Sequence, residues 1–525
     1  MRFLYKNLAP IYVAFVAGLM PWLFGGSMLG PLVKTVPWLM LFMTEVMFVF
    51  PQSHENETTY DARERVWGRL KKDPLVWTAL GFLALLLVPF VNNGLCENCD
   101  KLLIAQGISA DPPVKFLPFC VSRLDHLDVF LWFVTALSCL IATKHCLTKK
   151  GKRLLLSLLV WNGAALAVLG FVQVVFKAPG PLWQTLPDGL RNVSFFSAWG
   201  YENMAGDYFT TVFGLSIALW RRRFDEERER MKEISSQTRA KPRDLFWKQN
   251  LYLVPATLCF IAALNTMSRS AILMATGVAI LFFVHTFRSF TARMNRAKRV
   301  RLTAVVGLVV GIIAFVALTD SPESLKKEVK TLDARGMLDR VTGKTEQHVT
   351  VAKEIWLDHK LFGCGGWGYR HFYYSKFDES EVERMKKNAR PWTGGANVHN
   401  DYMQFLAEHG LVGFGLLVAL VVLLLRPVGL VWKTLVMTAR FQDPKERPPQ
   451  PLHIFALPAS AFCILTVCCA TVIHGFADCP FRTASILTLF FVSLAAIDGF
   501  MPKIAQKDVD TADDHGHHHH HHHHH

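Results

Sequence analysis

Long apolar stretches separated by polar segments run along most of this chain. A stretch of about 20 predominantly apolar residues is long enough to cross the hydrocarbon core of a bilayer as a helix, and a helix satisfies its own backbone hydrogen bonds there. Twelve such stretches are predicted, the second being the weakest, so the expected fold is an all-α integral membrane protein. They begin near Leu8, Val36, Pro74, Val129, Leu154, Tyr208, Leu251, Ala271, Leu302, Phe405, Leu452 and Thr483.

The longest polar segment divides the chain. Residues 320–400 lie between the ninth and tenth apolar stretches and are expected to form a helical loop domain outside the membrane. Spans one to nine then occupy residues 1–319, spans ten to twelve occupy residues 401–502, and residues 503–525 form a tail. The tail ends in His517–His525, which is a purification tag and carries no functional inference.

The composition agrees with a membrane protein and orients it. Hydrophobic residues make up 51% of the chain and charged residues 19%, which excludes an ordinary soluble domain. Lys and Arg fall in every second loop, and short loops rich in these residues stay in the cytoplasm, so both termini are expected inside. The net charge of +15 follows from this topology and from contact with anionic lipid, and it is not assigned to nucleic-acid binding. The basic segments are 63–72, 149–153, 221–243, 288–301 and 426–447.

The intervening loops face outward in this topology. If the outer side is a bacterial periplasm, Cys96, Cys99 and Cys120 can include a structural disulfide. The C-x-x-C spacing of the first two is also typical of metal or redox sites, but without a second pair nearby the structural interpretation is favoured. The pairing among the three stays open. The outward loops are 94–126, 178–206, a short turn at 265–269, 320–400 and 474–482.

Transport is an alternative function for a chain with this many spans. Transporters often show two related halves and ionisable residues near the middle of the membrane. No repeat relates the two halves here, Glu45 is the main charge within a span, and the 320–400 segment stands between spans nine and ten only. The sequence weighs against transport and leaves it as an alternative.

Arg269 stands at the outward end of span eight. Because that helix enters the membrane from outside, its N-terminus offers free N–H groups and a partial positive charge to the outer surface. Ser268 is the predicted N-cap, and the arginine adds a rigid pair of donors suited to phosphate oxygens. This combination predicts a phosphate or diphosphate site at the membrane interface. The alternative is an arginine that reaches lipid headgroups, as is common at helix ends.

The outer segment contains further cations. A helix is predicted within residues 322–360, and one apolar face of it is expected to pack on the membrane domain. A glycine-rich turn at residues 362–369 allows close approach of a ligand but lacks the Gly-Lys-Ser/Thr of a nucleotide-binding loop. The apolar face consists of Val349, Ala352, Ile355 and Trp356. The candidate phosphate-binding cations of the segment are Arg335, Arg340, Lys344 and His348. For each of them the alternative is a position on a solvated loop surface.

A polar cluster with a histidine ends this segment and runs directly into span ten. His399 is its centre, and an imidazole titrates near neutral pH and can take a proton from a sugar hydroxyl. Beside an arginine-bound diphosphate it would lie between a nucleophile and a leaving group. Asn400 or Asp401 could orient the ring or cap span ten. The alternative is a histidine with a purely structural role at a helix start.

Four stretches together resemble the O-antigen ligase and polymerase family of bacterial inner-membrane glycosyltransferases. The most specific is His399-Asn400 followed, after nine residues, by Gly410-Leu411-Val412-Gly413, which fits the family pattern of His, then Asn, Ser or Gln, nine residues and a Gly-x-x-Gly type ending. Arg269 to Leu273 fits the Arg-x-x-x-Leu pattern of the family. The resemblance is strongest from about residue 190 to the end. The remaining two stretches are Asn203–Gly206, preceded by Arg191 in the outer loop, and His474–Asp478.

One part of the family pattern departs in this sequence. Members usually carry an arginine in the large loop, a few residues before a Trp-containing helix that leads to a Leu-Phe-Gly-x-Gly turn, here Leu361–Gly365. Counting back from the turn reaches Lys344, whereas Arg340 stands slightly farther upstream. Arg340 is preferred as the second diphosphate ligand, and Lys344 is kept as the alternate.

The resemblance implies an inverting, metal-independent transfer of a glycan from undecaprenyl diphosphate to an acceptor hydroxyl on the periplasmic side of the bacterial inner membrane. Arg269 and a loop cation, together with Arg191, would bind the diphosphate, and His399 would act as the general base or position the acceptor. The first outward turn, residues 26–36, has no carboxylate, which agrees with a reaction that uses no metal or other cofactor. Supporting roles are implied for Asn203, Asn400, Asp401, His474 and Asp478.

The acceptor is not evident from residue types. Ligation of finished O-antigen to the lipid A core is the leading hypothesis. An O-antigen polymerase, which extends a growing glycan, or a protein O-oligosaccharyltransferase would use the same donor and similar chemistry. The expected partners are therefore the lipid-linked glycan donor, one of these acceptors and membrane lipid.

Overall fold

The computed structural model describes residues 6–26, 47–93, 112–184, 195–235, 250–291, 347–378, 380, 397–441 and 457–501. Regular structure in these ranges is helical, and extended pairing is limited to two isolated bridges. The prediction of an all-α protein is therefore confirmed for the described part. The helices are α1 (Leu8–Trp22), α2 (Thr59–Lys72), α3 (Pro74–Leu87), α4 (Arg123–His145), α5 (Lys149–Val175), α6 (Glu202–Ser235), α7 (Leu253–Asn265), α8 (Arg269–Thr291), α9 (347–358), α10 (Gly368–Phe372), α11 (Asp401–Phe441), α12 (Ala459–His474) and α13 (Ala484–Ala496).

Helices stand where ten of the twelve spans are predicted, and the spans near Val36 and Leu302 fall outside the described residues. Among the described helices, α4, α5, α8 and α11 are long and apolar enough to cross a membrane, and the bent pair α2–α3 is a fifth if it counts as one span. Helices α1, α7, α12 and α13 are apolar but shorter. The count of twelve, the orientation and the domain boundaries stay predictions.

The bend between α2 and α3 has a local cause. Pro74 has no N–H to continue α2 and its fixed φ suits a first helical position, so it starts a new helix at 68° to the previous one. Asp73 caps that helix by accepting from the N–H of Leu75 at 3.0 Å. The same carboxylate contacts Lys144 at 2.7 Å and His145 at 2.8 Å, which fixes the bend to the end of α4.

Helix α6 lies at the centre of the bundle and packs on α5, α7, α8 and α12. Small residues allow this close approach, as is usual between membrane helices. A Cβ on Gly214 would lie 2.0 Å from the side chain of Val467 in α12, and a Cβ on Gly206 would lie 2.1 Å from the Cβ of Ala271 in α8. The second contact brings the N-terminal ends of α6 and α8 together.

Helix α11 is broken at Gly410, which has φ 63° and ψ −171°. A break leaves carbonyls before it and N–H groups after it without helical partners. The turn at residues 360–365 satisfies both sets. The N–H groups of residues 364 and 365 donate to the carbonyls of residues 407 and 408 at 2.9 and 2.8 Å, and the carbonyls of residues 360 and 361 accept from the N–H groups of residues 411 and 412 at 2.9 and 3.0 Å.

Glycine is required on both sides of this interlock. A Cβ on Gly410 would lie 2.3 Å from the carbonyl carbon of Leu361, and a Cβ on Gly363, which has φ 70°, would lie 2.3 Å from that of Glu408. The Leu361–Gly365 turn and the Gly410–Gly413 motif thus meet in space. Their shared role is to hold the 360–365 turn against α11.

The described part of the loop domain packs largely as predicted. Val351, Ala352 and Ile355 of α9 are buried in a cluster with Phe119 and Ala407, so the helix lies against the start of α11. The predicted face is correct in position but centred slightly differently. Val349 and Trp356 are partly buried at its edge, and Val351 belongs to its core.

The cysteine prediction is corrected in part. Cys120 is a buried free thiol that donates to the carbonyl oxygen of Pro89 at 3.3 Å, so it does not contribute to the disulfide considered from sequence. Burial raises the pKa of this thiol to about 12. Cys96 and Cys99 lie outside the described residues.

Candidate functional site

Four helix ends meet at one end of the bundle: the starts of α6, α8 and α11 and the end of α12. Polar side chains from these ends form a continuous chain of hydrogen bonds. Ser268 Oγ donates to Asn203 Oδ1 at 2.5 Å, and Asn203 Nδ2 donates to Asp478 Oδ2 at 2.6 Å. Asp478 Oδ1 in turn lies 3.1 Å from Nδ1 of His399. The structure therefore brings together side chains that stand as much as 275 positions apart in the sequence.

The two members of the His399–Asp478 pair differ in exposure. The imidazole side chain is 46% exposed, whereas the carboxylate is 4% exposed. Burial opposes ionisation of Asp478, but the hydrogen bond from His399 and the nearby imidazoles outweigh it and hold the pKa of this carboxyl well below its usual range. An ionised carboxylate only accepts hydrogen bonds, so Nδ1 of His399 is the donor. The lone pair of the neutral ring is then on Nε2.

The backbone of His399 has φ 54°, a left-handed conformation that is uncommon for residues other than glycine. Such conformations are costly and persist where the surroundings hold them, as at functional sites. Here Asn400, the next residue, stabilises this conformation. Asn400 Oδ1 accepts from the N–H of Met403 at 3.1 Å, and its Nδ2 donates to the carbonyl of Phe476 at 3.2 Å.

Asn400 and Asp401 therefore anchor the site instead of orienting the ring. Asn400 caps α11, which is one of the two roles predicted for it. Asp401 is fully buried, and its Oδ2 accepts from the N–H of Phe481 at 2.8 Å while its own N–H donates to the carbonyl of Gly475 at 2.8 Å. The carboxylate that contacts His399 is Asp478.

The hydrogen bonds of Asp478 also bear on metal binding. A ligand atom from each of His399, Asp478 and Cys479 lies within 4.8 Å of the others, which is close enough for a shared ion. Both carboxylate oxygens are already engaged, because Tyr201 Oη donates at 2.8 Å and the N–H of Cys479 at 2.9 Å in addition to the two contacts above. Burial raises the pKa of the Cys479 thiol well above its usual value, whereas metals bind the thiolate. The arrangement therefore favours a hydrogen-bonded His399–Asp478 pair over a metal site.

Arg269 is the first residue of α8 and is partly exposed. The predicted cap beside it is observed, since Ser268 Oγ accepts from the N–H of Ala271 at 3.2 Å. The helix N-terminus, with its partial positive charge, thus adjoins the hydrogen-bond chain that ends at His399. This arrangement can bind an anion near an imidazole.

His474 lies behind Asp478. Its Nδ1 contacts Oδ2 of Asp207 at 2.8 Å, and its Nε2 lies 4.0 Å from Oδ2 of Asp478. Thr471 Oγ1 donates to the other oxygen of Asp207 at 2.8 Å. The supporting residues Asn203, His474 and Asp478 are therefore assembled around His399, and Asp207 joins them.

His348 is placed near the site but not as a cation. Its Nδ1 lies 2.9 Å from the hydroxyl of Tyr369, and its ring centroid lies 6.3 Å from that of His399. Burial, with a smaller contribution from His399, lowers the pKa of His348 to about 4. This histidine is therefore neutral at physiological pH, which argues against a role as a cationic phosphate ligand.

The sequence reasoning missed a buried polar network next to the site. Arg482 Nη1 lies 2.6 Å from Glu408 Oε2, and both side chains are at most 4% exposed. Gln404 Nε2 donates to Glu408 Oε1 at 3.1 Å, and its Oε1 accepts from the N–H of Val398. The available signal was the spacing of polar residues 401, 404 and 408, which share one helix face. This network fixes the loop before His399 to the loop before α13.

The other predicted diphosphate ligands, Arg340, Lys344 and Arg191, lie outside the described residues, as does Arg335. Two other arginines near the site are committed to carboxylates: Arg482 pairs with Glu408 and Arg370 pairs with Asp125. The guanidinium groups of Arg482 and Arg370 lie 5.3 and 4.6 Å from the centroid of the Trp367 ring. These two cations are structural.

Residues 254–418 match the family model described as O-antigen ligase. The match confirms the predicted resemblance for this segment, which contains Arg269 and the motif from His399 to Gly413, and it indicates glycosyl transfer of the O-antigen ligase or polymerase type in a membrane protein. Comparison with curated proteins gives no match. Asn203 and Asp478 lie outside the matched segment, so their position beside His399 comes from the structure alone.

Proposed function

We propose that this protein transfers a glycan from undecaprenyl diphosphate to an acceptor hydroxyl on the periplasmic side of the bacterial inner membrane, and that its reaction is ligation of O-antigen to the lipid A core. One observation carries the proposal. The His399–Asp478 pair is joined through Asn203 to the N-terminus of α8, where Arg269 stands. A base and an anion site are thereby held on one rigid scaffold.

His399 is the general base of the proposed reaction. Its Nδ1–H donates to Asp478, which leaves Nε2 to accept the proton of the acceptor hydroxyl. The hydroxyl oxygen then forms a bond to the anomeric carbon of the donor glycan. Asp478 stabilises the imidazolium that results, as a buried carboxylate does behind a catalytic histidine.

Arg269 binds the leaving group. As the new bond forms, the bond between the anomeric carbon and the diphosphate oxygen breaks, and negative charge grows on undecaprenyl diphosphate. The guanidinium and the N-terminus of α8 stabilise that charge. Arg340, with Lys344 as the alternate, and Arg191 are proposed as further diphosphate ligands.

The stereochemistry and the lack of a metal follow from this division of roles. The acceptor is activated by His399 while the diphosphate is held by Arg269, so one direct displacement inverts the anomeric centre. The arginines take the place that a divalent cation has in many phosphate sites, because a guanidinium forms paired hydrogen bonds to phosphate oxygens. The tests are an unchanged rate in EDTA and a product of inverted anomeric configuration.

The acceptor is tested in cells. Deletion of the gene in a strain that makes O-antigen is expected to leave finished polymer on undecaprenyl diphosphate and none on the lipid A core. A core that carries single repeat units would instead indicate a polymerase. Loss of glycan from proteins, with normal lipopolysaccharide, would indicate a protein O-oligosaccharyltransferase.

Transport is tested with the purified protein. In vesicles that contain lipid-linked glycan and lipid A core, a glycosyltransferase forms a new glycosidic bond, whereas a transporter only moves the donor between leaflets. Formation of the joined product by the wild type, and its absence with His399→Ala, is the expected result. Movement of the donor without any product would contradict the proposal.

A further inference from the structure

Asp207 and His474 form a buried hydrogen-bonded pair inside the helical bundle. Oδ2 of Asp207 lies 2.8 Å from Nδ1 of His474, and the two side chains are 1% and 2% exposed. Asp207 lies in α6 and His474 is the last residue of α12. Ionisable groups buried among membrane helices are costly unless paired, and they mark functional positions.

The imidazole of His474 stands between two carboxylates. Nδ1 faces Asp207, and Nε2 faces Oδ2 of Asp478 at 4.0 Å, where it has no hydrogen-bond partner within the described residues. Two buried carboxylates on either side of one ring repel each other, and this repulsion is offset only if the ring carries a second proton and becomes a positively charged imidazolium. A protonated His474 cancels the charge of Asp207 and leaves Asp478 as the single anion behind His399.

We propose that Asp207 and His474 are positioning residues that hold Asp478 in place and set the electrostatic field at the His399 imidazole. The charges then alternate along the line from Asp207 through His474 and Asp478 to His399. The inference rests on the proposed function, because the field matters most if His399 takes up a proton during the reaction.

Other charged groups also lie around the pair. Asp401 of α11 acts on His474 through its charge, and the guanidinium of Arg482, which pairs with Glu408, stands 3.9 Å from Asp401. Tyr201 donates to Asp478 as a neutral phenol, since burial raises its pKa well above the usual value. On the outer side His399 faces neutral His348 in addition to Asp478.

The test measures protonation of His399 without requiring catalysis. Diethyl pyrocarbonate modifies the neutral imidazole, so the pH dependence of its rate at His399, followed by mass spectrometry of the peptide, gives a titration midpoint in the full-length protein. In His474→Gln the charge of Asp207 is no longer cancelled, and the midpoint is expected to rise by about one pH unit. In His474→Gln/Asp207→Asn the pair is neutral again, and the midpoint returns to the wild-type value.

Two further variants test whether a shift of the His399 midpoint comes from charge or from a change in structure. Thr471→Val removes a hydrogen bond to Asp207 but no charge, so its midpoint matches the wild type. Asp207→Asn leaves a cation beside Asp478 and is expected to lower the midpoint, which keeps the test open if His474→Gln fails to fold. Equal midpoints in the wild type and His474→Gln, or an unchanged or higher midpoint in Asp207→Asn, overturn the inference.

Activity distinguishes this failure from failure of the proposed function. If the midpoints move as expected but His399→Ala still joins glycan to acceptor, the role of His399 as base is wrong while the positioning pair stands. If His399→Ala is inactive and the midpoints do not move, the inference fails alone. When both hold, the acid limb of the transfer rate in His474→Gln moves to higher pH in step with the midpoint.

Discussion

Asp478 lies 3.1 Å from Nδ1 of His399, and the carboxylate is buried whereas the imidazole is half-exposed. The pair joins the end of the loop domain to the segment between α12 and α13. Each residue alone has an ordinary structural explanation. A buried anion behind a half-exposed imidazole is what a general base at a membrane surface requires.

Asp478→Asn is expected to lower the transfer rate about 10²- to 10⁴-fold, because loss of the anion removes the partner that fixes the tautomer of His399 and stabilises its protonated form. The change keeps the size of the side chain, so the protein should still elute as a folded species. The rate is measured with purified, reconstituted protein. Asp358→Asn, in an exposed ion pair with Lys376 of the same loop domain, is the control and should retain the wild-type rate. A rate near wild type in Asp478→Asn would remove this carboxylate from the mechanism.

Arg269→Ala is expected to abolish detectable product, and Arg269→Lys to recover only a small part of it. A lysine keeps the charge but cannot form the paired hydrogen bonds of a guanidinium, so the loss should be about 10²-fold or more for a group that stabilises developing charge. Donor binding and turnover are measured separately with lipid-linked glycan. Arg288→Ala, at the other end of α8, is the matched control. An equal loss in both variants would point to damage of the helix instead of an anion site.

The helices and the local caps around this site could be predicted from the sequence, whereas the contacts between distant residues could not. Helical periods placed the apolar elements, and the order of charges in the loops suggested which helix ends share a side. Ser268 could be recognised as a cap because a capping bond is local in sequence. The Asp478–His399 contact could not be predicted. His399 precedes α11 in the sequence and Asp478 follows α12, so the contact depends on how these two helices pack.

The role of Gly410 shows the same limit. Its spacing from His399 supported the family resemblance, yet nothing in that spacing shows that the helix breaks there. The break is stable only because the 360–365 turn satisfies the exposed backbone groups. Asp207 was missed for a related reason: it directly precedes the apolar stretch that begins near Tyr208, and its partner lies 267 positions away.

Gly410→Ala is expected to destabilise the protein strongly, whereas Gly415→Ala in the same helix is not. At position 410 the new methyl group meets backbone 2.3 Å away in a positive-φ conformation that is almost exclusive to glycine, which alone costs about 1 to 3 kcal/mol for a residue with a Cβ. At position 415 nothing lies within 4 Å. The melting temperatures of the two variants in detergent provide the comparison. Equal melting temperatures would mean that the interlock with the 360–365 turn does not hold the loop domain in place.

Glu408→Gln is expected to destabilise the protein by about 3 to 5 kcal/mol, because it removes the nearest anion of the buried Arg482 guanidinium and leaves only Asp401, at 3.9 Å. The double variant Glu408→Gln/Arg482→Met should recover much of this loss, since it removes the orphaned charge and leaves an apolar chain of similar length beside Phe405 and Trp367. Unfolding is followed by intrinsic fluorescence in denaturant. A double variant that is less stable than either single variant would contradict the assignment of this pair as a structural anchor.

The loop domain is expected to loosen as the pH falls from about 6.5 toward 4. Burial lowers the pKa of His348 to about 4 in the folded protein, whereas an unfolded histidine titrates near 6.5. Between these values the unfolded state binds more protons, so stability is fully present above about pH 6.5 and is lost as the pH falls to the folded pKa. Hydrogen exchange of residues 347–358 at several pH values measures this change. His348→Gln should flatten the pH dependence of exchange in that helix, and a variant that keeps the wild-type slope would assign the effect to another group.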